Sequence, residues 1–268
     1  MNNPPKRVGI VFDIETIRHP QLETWLGTEE KVDRLNDVSP ENLVKIAAAA
    51  DIKIGNLKDP AKIKDKIVRA YRSELDDAAV KQYGCSICTI AAKPVYWVAT
   101  CLEWIREGRE LPERENYEPP KAWTVTDTHS ERDIILAFLE CLAELDAEPV
   151  LMGFNIRGTK SWKQGFDIPI LRVRCAMLGI TWPRWMPSNL SDDRRSHRLF
   201  DICDVLSEGS LDQWLRMAQL PPKTAGGAEV QDMTPEDRAL YCCNDVELER
   251  LLCGVVLPTQ SQDLTDLL

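Results

Sequence analysis

A chain of 268 residues, 44% hydrophobic and 28% charged, has the composition of a globular protein long enough to bury one large α/β core. No apolar run is long enough to span a bilayer, and Met1-Asn2-Asn3-Pro4-Pro5-Lys6-Arg7 has no signal-peptide core behind it, so a cytoplasmic protein with no membrane contact is expected. The formal net charge of −10 argues against a broad basic surface that coats nucleic acid, but not against an enzyme whose site acids are neutralised by bound cations.

The first element is a strand beginning Arg7-Val8-Gly9-Ile10-Val11-Phe12. Ser39-Pro40-Glu41 then opens an apolar-periodic helix through Ala50, with an N-cap, a proline at the first helical position and an early acid. Asp59-Pro60 repeats the signal and launches a helix to about Gln82. Segments 84–92, 94–100 and 121–126 read as strands, and the charged stretch 106–120 as a loop. Ser130-Glu131-Arg132-Asp133 resembles a capping box whose helix carries Ile134, Ile135, Phe138, Leu139 and Leu142 on one face. A strand at 149–154 follows, then a helix from Asp167 to Leu178, a strand at 199–203, a helix from Ser210 to Gln219 and a last helix from Thr234-Pro235-Glu236 to about Cys253. Strands alternating with helices predict a mixed, layered α/β sheet. One domain is expected over 1–256, with a helical insertion at about 18–83 and a loose tail from 257 to 268.

Nine cysteines, mostly in apolar segments, suit reduced core thiols better than a disulfide framework. Cys85-Ser-Ile-Cys88 has knuckle spacing but no second pair to complete a zinc site. The cations fall into local groups, among them Lys53 to Arg72 and Arg172 with Arg174, each reading as a solvated face.

The chemistry centres on Asp13 and Glu15 in Val11-Phe12-Asp13-Ile14-Glu15-Thr16. Residues i and i+2 of a strand project to one face, so two carboxylates end up side by side after an apolar lead-in. Like charges so placed are costly unless a cation lies between them, and carboxylate oxygens suit Mg²⁺ or Mn²⁺. Two more acids stand out by their neighbours. Asp167 lies in Phe166-Asp167-Ile168-Pro169, downstream of Asn155, and taken alone reads as a helix N-cap. Asp245 follows Tyr241 by four residues, on the same helix face, and taken alone reads as a surface acid paired with Arg238 or Arg250.

In this order, Asp13-x-Glu15, Asn155 with Phe166-Asp167, and Tyr241-x₃-Asp245 resemble the DEDD superfamily of 3′–5′ exonucleases, tyrosine subtype. The segments Ile54-Gly55-Asn56-Leu57, Phe200-Asp201-Ile202, Leu220-Pro221-Pro222-Lys223 and Val230 are similar to the stand-alone, family-B-polymerase-like exonucleases of phages and bacteria. The resemblance spans roughly residues 7 to 253, with one departure: Ile156 to Gly165 separate Asn155 from Phe166, where the family has a short spacer. It implies a ribonuclease H-like sheet flanked by helices, and hydrolysis at 3′ ends of single-stranded DNA with two divalent cations, Mg²⁺ or Mn²⁺, releasing nucleoside 5′-monophosphates. Asp13, Glu15, Asp167 and Asp245 would hold the metals, and Tyr241 would align the attacking water, since a phenol of pKa near 10 is a poor base at neutral pH. Ile14, Thr16, Asn155 and Phe166 are the expected substrate contacts. Arg157, Lys160 and Lys163, with Trp162 to stack on a base, would extend the grip at the rim.

Alternatives are an exoribonuclease or oligonucleotide-trimming enzyme on the same site, and an inert ribonuclease H-like binding module. Retention of the four acids counts against inertness, because unused clustered carboxylates only destabilise a fold. A polymerase or single-strand-binding protein as partner is left open by the sequence.

Overall fold

The computed structural model describes residues 7–76, 84–95, 119–145, 148–157, 165–186, 199–206 and 209–256. It forms two compact units, one made of Thr16–Ser86 and the other of the remainder. The helical unit therefore begins inside the first strand and ends inside the second, slightly wider than the insertion expected at 18–83.

Five strands form one sheet: β1 (Arg7–Arg18), β2 (Cys85–Val95), β3 (Lys121–Thr124), β4 (Glu148–Gly153) and β5 (Leu199–Asp201), in the order β3-β2-β1-β4-β5. β1 runs parallel to β4, with Val11 opposite Met152. β4 runs parallel to β5, while β2 and β3 are antiparallel, so the sheet is mixed. Pro94-Val95 continue β2 and do not open a strand of their own; residues 96–118 lie outside the described residues. A sheet proline is tolerated near a strand end, where no ladder donor is needed.

The helical unit holds α1 (Leu22–Leu26), α2 (Thr28–Arg34), α3 (Pro40–Ala49) and α4 (Pro60–Asp76), and α3 and α4 build a small core of Leu43, Ala47, Ile63 and Ile67 with Leu35. Ser39 has the extended N-cap conformation and Pro40 opens α3, as the sequence predicts. The described part of α4 stops at Asp76; residues 77–83, where its last turn was expected, lie outside the described residues.

In the sheet unit, α5 (Glu131–Ala143) starts with the predicted capping box: the Asp133 amide donates to Ser130 Oγ and the Ser130 amide to Asp133 Oδ2. Its apolar stripe is buried, and Phe138 lies between Phe12 and Trp123 at centroid distances of 5.9 and 5.5 Å. Then come α6 (Asp167–Met177), α7 (Cys203–Leu206), α8 (Leu211–Met217) and α9 (Pro235–Val256). Val11, Ala91 and Met152 of the sheet pack with Leu211 and Leu215 of α8 and Cys242, Val246 and Leu252 of α9. Alternation along β1 thus sends Phe12 to α5 and Val11 to α9, so helices flank the sheet on both faces. Each buried aliphatic chain contributes roughly 1.5–3 kcal/mol, which offsets polar groups the same core must hold.

One of those is Arg174, which is buried and pairs with Glu131 through both Nε and Nη2, at 2.7 and 2.6 Å. The expectation of a solvated face at Arg172 and Arg174 therefore fails for Arg174. Glu131 also accepts from the Ile87 amide, so one bidentate carboxylate ties α5, α6 and β2 together. The cysteines of the described residues are all free, and six of them are buried, including Cys85 and Cys88 in β2.

Gly153 ends β4 where chains approach closely. A Cβ there would lie 2.6 Å from Ile156 Cγ2, 2.9 Å from the Phe12 carbonyl and 3.1 Å from Glu249 Oε2. Gly153→Ala is expected to cost about 1–3 kcal/mol; a melting temperature unchanged from wild type would show that the strands part more easily than this packing implies.

A buried carboxylate cluster as candidate active site

Asp13 and Glu15 project from β1 beside α9, flanked by Cys242, and ligand atoms of the three lie within 4.8 Å of one another. Asp245 stands on α9 and is buried. Asp167 opens α6, is also buried, and lies close enough to Asp13 for its charge to raise the Asp167 pKa, while hydrogen bonding from the Ile14 backbone lowers it. Phe166, not Asp167, occupies the N-cap position, so the helix-capping reading of Asp167 is corrected. The surface reading of Asp245 is corrected too. Its partner is Lys223, with Nζ at 2.6 Å from Oδ2, whereas Arg250 pairs with Glu247 and Arg238 donates to the carbonyls of Val230 and Gln231.

The electrostatics follow from burial of like charges. Desolvation raises Asp13, partly countered by the Lys223 charge and by a hydrogen bond with Glu15. Glu15 is pushed well above the usual range by burial, then by the charges of Asp13 and Asp245. Asp167 is pushed well up by burial and then by Asp13. Asp245 rises to about 6, through burial and the charge of Asp13, with Lys223 pulling the other way. Burial, followed by the charges of Asp245 and Glu15, raises the Tyr241 phenol, so it stays protonated at neutral pH. Its hydroxyl donates to the Ala225 carbonyl at 3.3 Å.

Two residues of the cluster escaped the sequence reading. Glu249 is 3% exposed, with an Oε2 that has no hydrogen-bond partner among the described residues, and burial together with Asp13, Asp167 and Asp245 raises it well above its usual value. The signal was present: Tyr241, Asp245 and Glu249 repeat at four-residue intervals along one helix face. Lys223 belongs to the Leu220–Lys223 segment that carries the resemblance but had no periodicity to give it a role, because it reaches the cluster from irregular chain between α8 and α9.

Asn155 and Phe166 are brought together despite the long spacer. The Phe166 amide donates to the Asn155 carbonyl and the Ile168 amide to that of Ile156, both at 3.0 Å, which closes the base of the excursion. Asn155 has φ 63°, a left-handed conformation that Asn tolerates. Asp201 fixes this turn: its carboxylate accepts from the amides of Asn155, Arg157 and Cys203 at 2.8, 2.9 and 3.0 Å. Arg157 forms an ion pair with Asp204. Lys160, Trp162 and Lys163 lie outside the described residues. Ile14 is buried, Phe166 is half-buried, and Thr16 is buried in the part of β1 that belongs to the helical unit.

The donor set fits a hard divalent cation. Carboxyl oxygens dominate, the buried Asp245 Oδ1 has no hydrogen-bond partner among the described residues, and negative charge is under-compensated throughout. Cys242 does not change that preference, since burial and the neighbouring acids hold its thiol protonated while it points at Asp13. No protein-family model matches the chain, and no curated protein sequence does.

The raised carboxyls make apo stability pH-dependent. A carboxyl whose folded pKa exceeds its unfolded value stabilises the fold below the unfolded value, and that contribution is lost as pH rises through the folded one. For Asp245, moving from 3.8 to about 6, the loss is on the order of 3 kcal/mol. Glu15, Asp167 and Glu249 shift in the same direction. Chelator-treated protein should therefore melt at a lower temperature at pH 8 than at pH 5, and Glu249→Gln should recover part of the difference. Equal melting temperatures at the two pH values would refute the crowding of ionised carboxyls.

Proposed function

We propose that this chain is a metal-dependent 3′–5′ exonuclease that hydrolyses the terminal phosphodiester of single-stranded DNA and releases nucleoside 5′-monophosphates. The observation that carries the proposal is the convergence of the buried Glu15, Asp167 and Asp245 and the half-buried Asp13, from a strand and two helices, into one cluster with Tyr241 beside it. A mixed sheet in the order β3-β2-β1-β4-β5, with the acid-bearing strand central, is compatible with the ribonuclease H-like fold that the sequence motifs imply. Strand polarity and the choice of DNA rest on the motif resemblance.

In this reading Asp13, Glu15, Asp167 and Asp245 hold two divalent cations, Mg²⁺ or Mn²⁺. Such cations supply a water of lowered pKa and offset the charge that develops on the leaving 3′-oxygen. The chain's own part is orientation. Tyr241, protonated at neutral pH, can donate but not take a proton, which makes it an aligner of the attacking water. Asp201, saturated by three amides, keeps the Asn155 turn and hence the entrance to α6 in place. Phe166, half-buried at the mouth of that turn, is available to a terminal base, whereas Phe12 belongs to the core. Arg157 is already committed to Asp204, so its role as a phosphate grip would require that pair to open.

The test is release of 3′-labelled nucleotide from DNA and RNA strands assayed side by side. Activity on DNA should require Mg²⁺ or Mn²⁺ and disappear with chelator. Ala at any of the four acids should lower turnover by orders of magnitude, and Tyr241→Phe by roughly tenfold or less, the worth of one hydrogen bond. Undiminished hydrolysis in chelator would remove the mechanism, and preference for RNA would replace the substrate.

A further inference from the structure

Lys223 is a cation placed inside a cluster that otherwise consists of acids. Its Nζ lies 2.6 Å from Asp245 Oδ2, with the lysine side chain 24% and the aspartate side chain 2% exposed, so the pair is largely shielded from water and from salt. The same ammonium stands 5.4 Å from the ring centroid of Tyr241. Its charge acts on Asp13, Glu15, Asp245 and Glu249 alike. Four carboxyl groups therefore share this lysine.

Its backbone setting is unlike that of the acids. Lys223 sits on irregular chain between α8 and the 3₁₀ turn Gly227–Asp232, directly after Pro221-Pro222. The prolines restrict the backbone ahead of it, while the four-carbon stem leaves the ammonium free to swing. The acids, in contrast, stand on the regular elements β1, α6 and α9, whose backbone hydrogen bonding fixes where their side chains start.

We propose that Lys223 is the resident counter-cation of the site: its ammonium holds Asp245 while the carboxylate cluster carries no divalent ion, and leaves Asp245 when one binds. This rests on the metal reading above. A dication held by Asp13, Glu15 and Asp245 would place two positive charges within one carboxylate's span of a third. That repulsion outweighs a single ion pair at an effective dielectric typical of such sites. The lysine thus stabilises the empty cluster and weakens its apparent affinity for metal, so that occupancy responds to the concentration of the divalent ion.

Amine-acetylation footprinting of the wild-type protein, read by mass spectrometry at one pH with and without Mg²⁺, tests this directly. Lys93, buried and paired with Glu247 at 2.9 Å, serves as internal control. Saturating Mg²⁺ should speed labelling of Lys223 by about fivefold or more and leave Lys93 unchanged. In calorimetry at pH 8.5, Lys223→Met should bind Mg²⁺ about fivefold or more tightly than wild type. Mg²⁺ binding with Lys223 labelling unchanged or slowed, or a Lys223→Met protein that binds no more tightly, would overturn this proposal alone. Failure of the wild-type protein to bind Mg²⁺ saturably would overturn the metal reading itself, and this proposal with it.

Discussion

Ionised carboxylates repel one another, and removing them from water makes that repulsion worse. The sheet unit of this protein nevertheless gathers the buried Glu15, Asp167, Asp245 and Glu249 around the half-buried Asp13, with Lys223 as a cation among them. Other buried or half-buried carboxylates of this unit are balanced. Asp201 is saturated by amides, Glu131 by Arg174 and a backbone donor, and Glu247 by Lys93 and Arg250. The contrast assigns the unbalanced cluster a purpose other than holding the fold, because a fold alone would be better served by apolar side chains in those places.

The cluster is held in place by strand and helix periodicity. Alternation along β1 directs Val11, Asp13 and Glu15 to the face covered by α9 and sends Phe12 into the ring stack with Phe138. On α9, a four-residue repeat aligns Tyr241, Asp245 and Glu249, while Cys242, Val246 and Leu252 anchor the same helix in the core. Asp167 depends on tertiary contacts instead, since α6 begins where the Asn155–Phe166 hydrogen bond closes a loop. That closure is made at the base, by residues on either side of the spacer.

Local signals in the sequence carried most of the fold and much of the site. The capping box at Ser130, the prolines at Pro40 and Pro60, and the two acids after an apolar lead-in each act over a few residues, so a few residues reveal them. Partner choice was the part that stayed hidden. Asp245 has Arg238 and Arg250 within two helical turns, yet its cation comes from Lys223, on chain that no periodicity describes. Arg174 reads with Arg172 as part of a solvated face but points into the core at Glu131 on another helix. Both outcomes depend on which surfaces meet after folding, and spacing along one element does not encode that. Glu249 differs, since its helical repeat with Asp245 was legible and only its burial was not.

The central claim is that this cluster is built to hold a divalent cation. Diffraction from crystals soaked in Mn²⁺, recorded at the manganese absorption edge, tests it most directly, because the anomalous signal locates the ion without reference to activity. The account predicts an anomalous peak bounded by the carboxylates of Asp13, Glu15 and Asp245. A map with no peak among those residues, or with manganese bound only elsewhere on the protein, would contradict it.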